Sequence, residues 1–248
     1  MKKRNLLFAS FILSLGIGLF GCNFGGGGNI TSYTSPAVVS FDMNILNTAI
    51  GTWYGICAAP GLDPSYMDQC VLLSFTVDWD NQPSADYITA SAIQILSTIP
   101  QQPFIEDDSV RISGYTLPIS SVGWDDTSTS PYYGGKFFIG INCKDNNATF
   151  RLVYNTQEPD SAGIKNLYLL AQPSTSSSTT DVSKNFAFDV MSLIYNAGSD
   201  TTDTSSGLKY RYVKANLKYL TGISGDGVPT YGSANTSSTG PFVFAVLE

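Results

Sequence analysis

The feature that most restricts what this chain can fold into is an alternation of apolar and polar residues. Val71, Leu73, Phe75, Val77 and Trp79 alternate with Leu72, Ser74, Thr76, Asp78 and Asp80. Successive side chains of an extended strand point to opposite faces, so this run reads as a strand with one dry and one wet face. Lys136–Cys143 and Thr149–Asn155 are two more runs rich in aromatic and β-branched residues. The polar Lys144-Asp145-Asn146-Asn147-Ala148 between them reads as the loop of a hairpin. Further strand candidates are Gly51–Ala58, Val110–Leu117, Lys165–Ala171, Asn185–Tyr195, Lys209–Leu220 and Phe242–Leu247. Asp86–Leu96 is ambiguous: Ile88, Ala92 and Ile95 suit a helix, while Ile93 and Ile95 suit a strand. Turn signals separate the runs and no sustained amphipathic helix appears. The expected fold is all-β, an antiparallel β-sandwich or barrel of roughly 8–10 strands.

The N-terminus reads as an export signal. Lys2, Lys3 and Arg4 precede the apolar, uncharged run Asn5–Gly21. That run is short for a bilayer span, which needs about 20 apolar residues, and it has the layout of a cleaved signal peptide. Leu19-Phe20-Gly21-Cys22 resembles the lipobox of bacterial lipoproteins. The resemblance implies that residues 1–21 are removed and that Cys22 is acylated, with palmitate-type chains holding the protein on a membrane. In such lipoproteins an Asp after the Cys often causes inner-membrane retention. Asn23 at that position therefore implies the outer membrane, with its periplasmic or external face left open. Gly25–Gly28 and the polar stretch to Ser35 read as a flexible tether, so residues 22–40 form the anchor and 41–248 a single β domain.

Composition restricts function. There is no histidine, which excludes Ser-His-Asp and Cys-His catalysis and His-ligated metals. Glu106, Glu158 and Glu248 are the only glutamates. Without the signal, ten basic residues stand against 20 acidic ones, a net charge of −10. Such a chain is a poor partner for nucleic acid or for anionic lipid headgroups. Asp78 and Asp80 with Asn81, Glu106-Asp107-Asp108, Asp125-Asp126 and Asp145-Asn146-Asn147 could supply oxygen ligands to calcium. None has the spacing of an EF-hand loop, and they read as solvated loop carboxylates. Glycoside hydrolysis needs two carboxyls at a set separation, which these positions do not define. The expectation is a non-enzymatic chain without metal or cofactor.

Four cysteines occur. Cys22 is assigned to lipid. Cys57 and Cys70 flank a loop containing Pro60-Gly61 and Asp63-Pro64. Export favours oxidation, and a disulfide closing that loop would stabilise by about 3 kcal/mol on chain-entropy grounds. Cys143 shares the apolar side of its strand with Ile139 and Ile141 and reads as a buried thiol, with pairing to Cys57 or Cys70 as the alternative. Trp124, Tyr132 and Tyr133 lie in the polar stretch Gly123–Gly135. They are candidate contacts for a sugar or a protein, or else a cover over one end of the core. Ser174–Ser183, Ser199–Ser206 and Ser233–Gly240 read as solvated loops that could also display a contact surface.

Gly51-Thr52-Trp53-Tyr54 resembles the Gly-x-Trp-Tyr motif that opens the first strand of lipocalins, with Phe41-Asp42 upstream. The resemblance implies an eight-stranded barrel around an apolar ligand, with Gly51 and Trp53 at its closed base. Two functions therefore stand side by side. The leading one is a membrane-anchored, non-enzymatic domain that binds or scaffolds a protein partner or glycan. The alternative is a lipocalin-like carrier of a small apolar ligand.

Overall fold

The computed structural model describes residues 29–43, 47–52, 55–84, 87–123, 131–175, 180–235 and 240–247. The fold is all-β, and the chain divides after Ile99 into two compact units.

The first unit contains β1 (Ile30–Asp42), β2 (Asn47–Thr52), β3 (Gly55–Ala58), β4 (Cys70–Asp78), β5 (Ile88–Thr89) and β6 (Ser91–Thr98). They form one sheet in the order β5-β3-β2-β1-β4-β6. Only Ala90 separates β5 from β6 in sequence, so the two ends of the sheet are one bent strand and the sheet closes into a ring. The Ala90 N–H donates to Ala58 O on one side, and Ser91 lies opposite Thr76 on the other. With β5 and β6 taken as one strand, the third and fifth strands pair in parallel, the connectivity of an OB-fold barrel. Ala92, at φ 47°, and a register shift between Ser74 and Thr76 mark the bend. Val39, Ile50, Cys57, Val71, Leu73 and Phe75 fill the interior. The ambiguous segment 86–96 is thus strand where it is described, because Ile93 and Ile95 pack on this core. Residues 30–40, expected within the tether, form most of β1, paired with β4 from Ile30 to Val38; Thr and Tyr at alternate positions suit a half-buried strand. Its strands have no Lys or Arg: between Arg4 and Arg111 the sequence contains neither.

The expected disulfide is corrected. Cys57, Cys70 and Cys143 are all buried thiols, and none is cross-linked. One way round the ring β2 and β1 separate β3 from β4, three strand spacings of about 4.8 Å each. The other way the joined β5-β6 lies between, with Cys57 level with Ile88 and Cys70 bonded to Ile99, far along the strand. A disulfide needs Cα atoms within about 7 Å. Register adds a second obstacle. Cys57 shares a row with Ile50 and Val39, whereas Cys70 lies opposite Val38, so the two thiols leave opposite faces. Burial pushes the Cys57 thiol up to about 12, which keeps it protonated and unreactive.

The second unit contains β7 (Gln101–Gln102), β8 (Phe104–Asp107), β9 (Ile119–Gly123), β10 (Tyr132–Tyr133), β11 (Lys136–Cys143), β12 (Thr149–Asn155), β13 (Ile164–Gln172) and β14 (Val182–Asp189). After them come α1 (Met191–Ala197), β15 (Ser199–Thr202), β16 (Lys209–Ile223), β17 (Pro229–Ser233) and β18 (Phe242–Leu247). One sheet runs β10-β11-β14-β7, with β9 also on β11. The other runs β15-β16-β13-β12-β8, with β17 and β18 also on β16. The sheets share one core, to which Phe137, Ile139 and Phe188 contribute from the first and Leu152, Leu169 and Phe244 from the second.

Two local expectations fail for physical reasons. β11 and β12 are not a hairpin: β11 pairs with β14 and β9, and β12 with β13 and β8. The loop between them crosses from sheet to sheet. Asp145 holds it, accepting from Asn147 N (2.9 Å), Ser174 N (2.6 Å) and Ser174 Oγ (2.8 Å). Despite its burial, these donors hold the Asp145 carboxyl below its ordinary range. Val110–Leu117 is irregular rather than a strand, and its Val110, Ile112 and Tyr115 lie over the outer face of the second sheet.

Two measurements check this description. The soluble chain from residue 29 should titrate three thiols in urea without reductant, and almost none when native, since all three are buried; a stable titre of one would restore the disulfide. Phe244 is fully buried, 4.9 Å from the Phe137 ring centroid. Phe244→Ala should lower the stability of the second unit by about 3–5 kcal/mol in urea melts.

Candidate functional site

The site grows out of one strand. β16 is 15 residues long and has four neighbours, β13 and β15 along one side and β17 and β18 along the other. Val213, Ala215 and Leu217 point into the core. The alternate residues Tyr210, Tyr212, Lys214, Asn216 and Lys218 therefore line the outer face. Residues in register across a sheet share a face. Tyr210 has Thr201 and Leu247 beside it, Tyr212 has Ser199 and Ala245, and Lys214 has Ile164 and Val243. Asn216 is level with Asn166, and Lys218 lies between Tyr168 and Ser233. Val243 is 42% exposed and Leu247 45%. From Tyr210 to Lys218 this makes a strip about 26 Å long at 3.3 Å per residue.

At its Lys218 end the strip is braced by a charged network. Glu158, beyond β12, accepts from the Tyr168 hydroxyl (2.7 Å) and from Asn166 Nδ2 (2.8 Å). Lys218 Nζ lies 3.4 Å from Glu158 Oε1, donates to the Tyr168 hydroxyl at 3.1 Å, and sits 5.0 Å from the Tyr168 ring centroid. Tyr231 packs edge-on against the same ring at 5.0 Å. Burial, then the hydrogen bond to Glu158, pushes the Tyr168 phenol up, so it remains a donor at all ordinary pH. Nearby, the Arg151 guanidinium lies 4.1 Å from the Tyr115 ring centroid and donates to Arg111 O.

At the other end, β15 is held by its turn. Asp203 accepts from Ser205 N, Ser205 Oγ and Ser206 Oγ, which lowers its carboxyl to about 2. Arg211 ties β15 to the helix by pairing with Asp200 (2.8 Å) and donating to Ile194 O. Ser199–Ser206, expected as a solvated loop, is thus a strand and a capped turn.

The residues singled out from sequence lie elsewhere. Cys22, Trp53 and Trp124 fall outside the described residues. Tyr132 packs on Phe244 at 5.3 Å and its hydroxyl points to Met191 Sδ; burial, first of all, pushes its phenol up to about 12. Tyr133 stacks on Phe138 at 4.7 Å. Both rings are half-buried against the sandwich. Gly51, the motif glycine, lies in β2 rather than in a first strand. The described acidic clusters serve turns and pairs: Asp78 accepts from Asp80 N and Asn81 N, and Arg111 pairs with Asp107 and Asp108, while Asp125-Asp126 lie outside the described residues. The strip was missed, although Tyr210, Tyr212, Lys214, Asn216 and Lys218 at every second position carry its signal.

A scan against protein-family models finds no match, and a search of curated proteins finds none. Among solved structures the chain is similar to an uncharacterized protein from Parabacteroides merdae. The identity is 17% and the TM-score 0.60, over 87% of this chain and 98% of that one. It is also similar to a proposed lipoprotein from Bacteroides fragilis, at 13% identity and a TM-score of 0.49, over 88% and 97% of the two chains. A NigD-like immunity protein from Bacteroides caccae aligns at 10% identity and a TM-score of 0.43, over 91% and 99%. The first shows a shared fold; the other two are too distant in shape to carry an argument.

Tyr168→Phe should leave the fold intact but cost about 1–2 kcal/mol, because it strips Glu158 of one donor and Lys218 of one acceptor. Asn166→Ala in the same background should then cost less than it does in the wild type; strictly additive costs would show that the network does not act as a unit.

Proposed function

We propose that this is a lipid-anchored, non-enzymatic binding protein, held at the outer membrane through Cys22, that meets a protein or glycan partner on the outer face of β16. The observation that carries the reading is the exposed register of Tyr210, Tyr212, Lys214, Val243 and Leu247 on a sheet whose opposite side already supplies a complete core. Those residues are not needed to fill the sandwich. Clustered aromatic and aliphatic side chains beside a cation are the ordinary makings of a contact surface. The lipobox Leu19–Cys22 supports the anchor, and the net charge of −10 argues against nucleic acid as the partner. A lipocalin-like carrier gains no observation: the first unit's interior is occupied by its own side chains, among them Leu73 and Phe75.

Two experiments test the two halves of the reading. In the full chain, Cys22→Ser should abolish palmitate labelling and move the protein from the detergent to the aqueous phase; unchanged partitioning would end the anchor assignment. A photoreactive residue at Thr201 or Ala245 should form an adduct in intact cells, whereas one at the exposed Lys144 should not. No adduct at the two face positions would remove this surface from consideration.

A further inference from the structure

We propose that the occupant of the β16 face is an extended acidic oligosaccharide, a chain carrying carboxylated sugars. This inference rests on the binding reading above and names its ligand class. Three observations lead to it. The strip is long, about 26 Å from Tyr210 to Lys218, which suits a polymer rather than a compact molecule. Its chemistry is that of a sugar site. Tyr210 and Tyr212 stand two residues apart on one face, both half-exposed, and offer rings on which the C–H faces of successive sugars can lie. Asn216 offers an amide to hydroxyls, level with Asn166, whose own amide is held by Glu158. Finally, the strip is locally cationic on an acidic protein. Lys214 is exposed and makes no ion pair among the described residues, and Lys218 is only partly neutralised by Glu158. That charge complements an anionic ligand, and Lys214 is placed to meet a carboxylate between the tyrosines and the amides.

An acidic peptide fits less well. Between Tyr210 and Lys214 the backbone of β16 is hydrogen-bonded on one side to β15 and β13 and on the other to β18. A peptide could add no strand to it and would have to be held by side chains alone. Single-stranded nucleic acid would also stack on tyrosine, but its phosphates would meet a protein with net charge −10 and too few cations to offset them.

The test is affinity electrophoresis of the detergent-solubilised full-length protein in gels containing polygalacturonate, with dextran as the neutral polymer and oligo-dT as a competitor. Polygalacturonate should retard the protein, dextran should not, added salt should weaken the retardation, and oligo-dT should fail to compete. Tyr210→Ala, Tyr212→Ala and Lys214→Gln should each weaken binding about tenfold while the melting temperature stays unchanged. No retardation by polygalacturonate, equal retardation by dextran, unchanged binding in the three variants, or competition by oligo-dT would each overturn the proposal. A protein adduct at Ala245 without any retardation ends the oligosaccharide assignment and leaves the binding face standing; loss of both ends the two together.

Discussion

The backbone ladder of β16 is what the rest of the second unit depends on. One 15-residue strand gives hydrogen bonds to four others, and its odd and even residues serve different masters. Val213, Ala215 and Leu217 fix the strand to the core, and because the side-chain period is two, that burial also fixes which residues face outward. A slip of one residue would drive Lys214 and Lys218 into the sandwich at a desolvation cost of several kcal/mol. The outer strip is therefore specified by the core, not by contacts of its own.

Burial and charge are balanced differently on the two sides of that sheet. The inner side is dry and close to continuous in apolar side chains. The outer side carries Glu158, Lys218, Tyr168 and Asn166, each a partner of another, so that these four partly buried groups do not bear desolvation alone. Pairs of this kind at the surface contribute little to stability. Their effect is to hold side chains in one arrangement, which is what a preformed contact surface requires.

The class of fold was legible because Val71–Asp80 and Lys136–Cys143 alternate cleanly and each buries one side. Connectivity was not. The loop Lys144–Ala148 has the length and polarity of a hairpin turn, and only the distant Ser174, binding Asp145, turns it into a crossing between sheets. The Cys57–Cys70 expectation failed in the same way: closeness in sequence said nothing of the strands between β3 and β4, nor of the two thiols leaving opposite faces. In Asp86–Leu96 helical and strand spacings coincided, and barrel closure decided the matter. The outer strip of β16 was overlooked because Tyr132 and Tyr133, set in a polar stretch, looked more exposed than tyrosines inside a strand. Their rings lie against Phe244 and Phe138 instead.

The absence of Lys and Arg between Arg4 and Arg111 has a consequence of a different kind. Trypsin-like proteases cut only after those two residues, so the whole first barrel is a single uncleavable stretch for them, folded or not. For a protein that meets such enzymes, this barrel is beyond their chemistry. The same property hides it from the laboratory: amine-directed labels find no side chain there, and a tryptic digest yields one peptide too long to detect, so that fragments seen by mass spectrometry would come from the second unit alone.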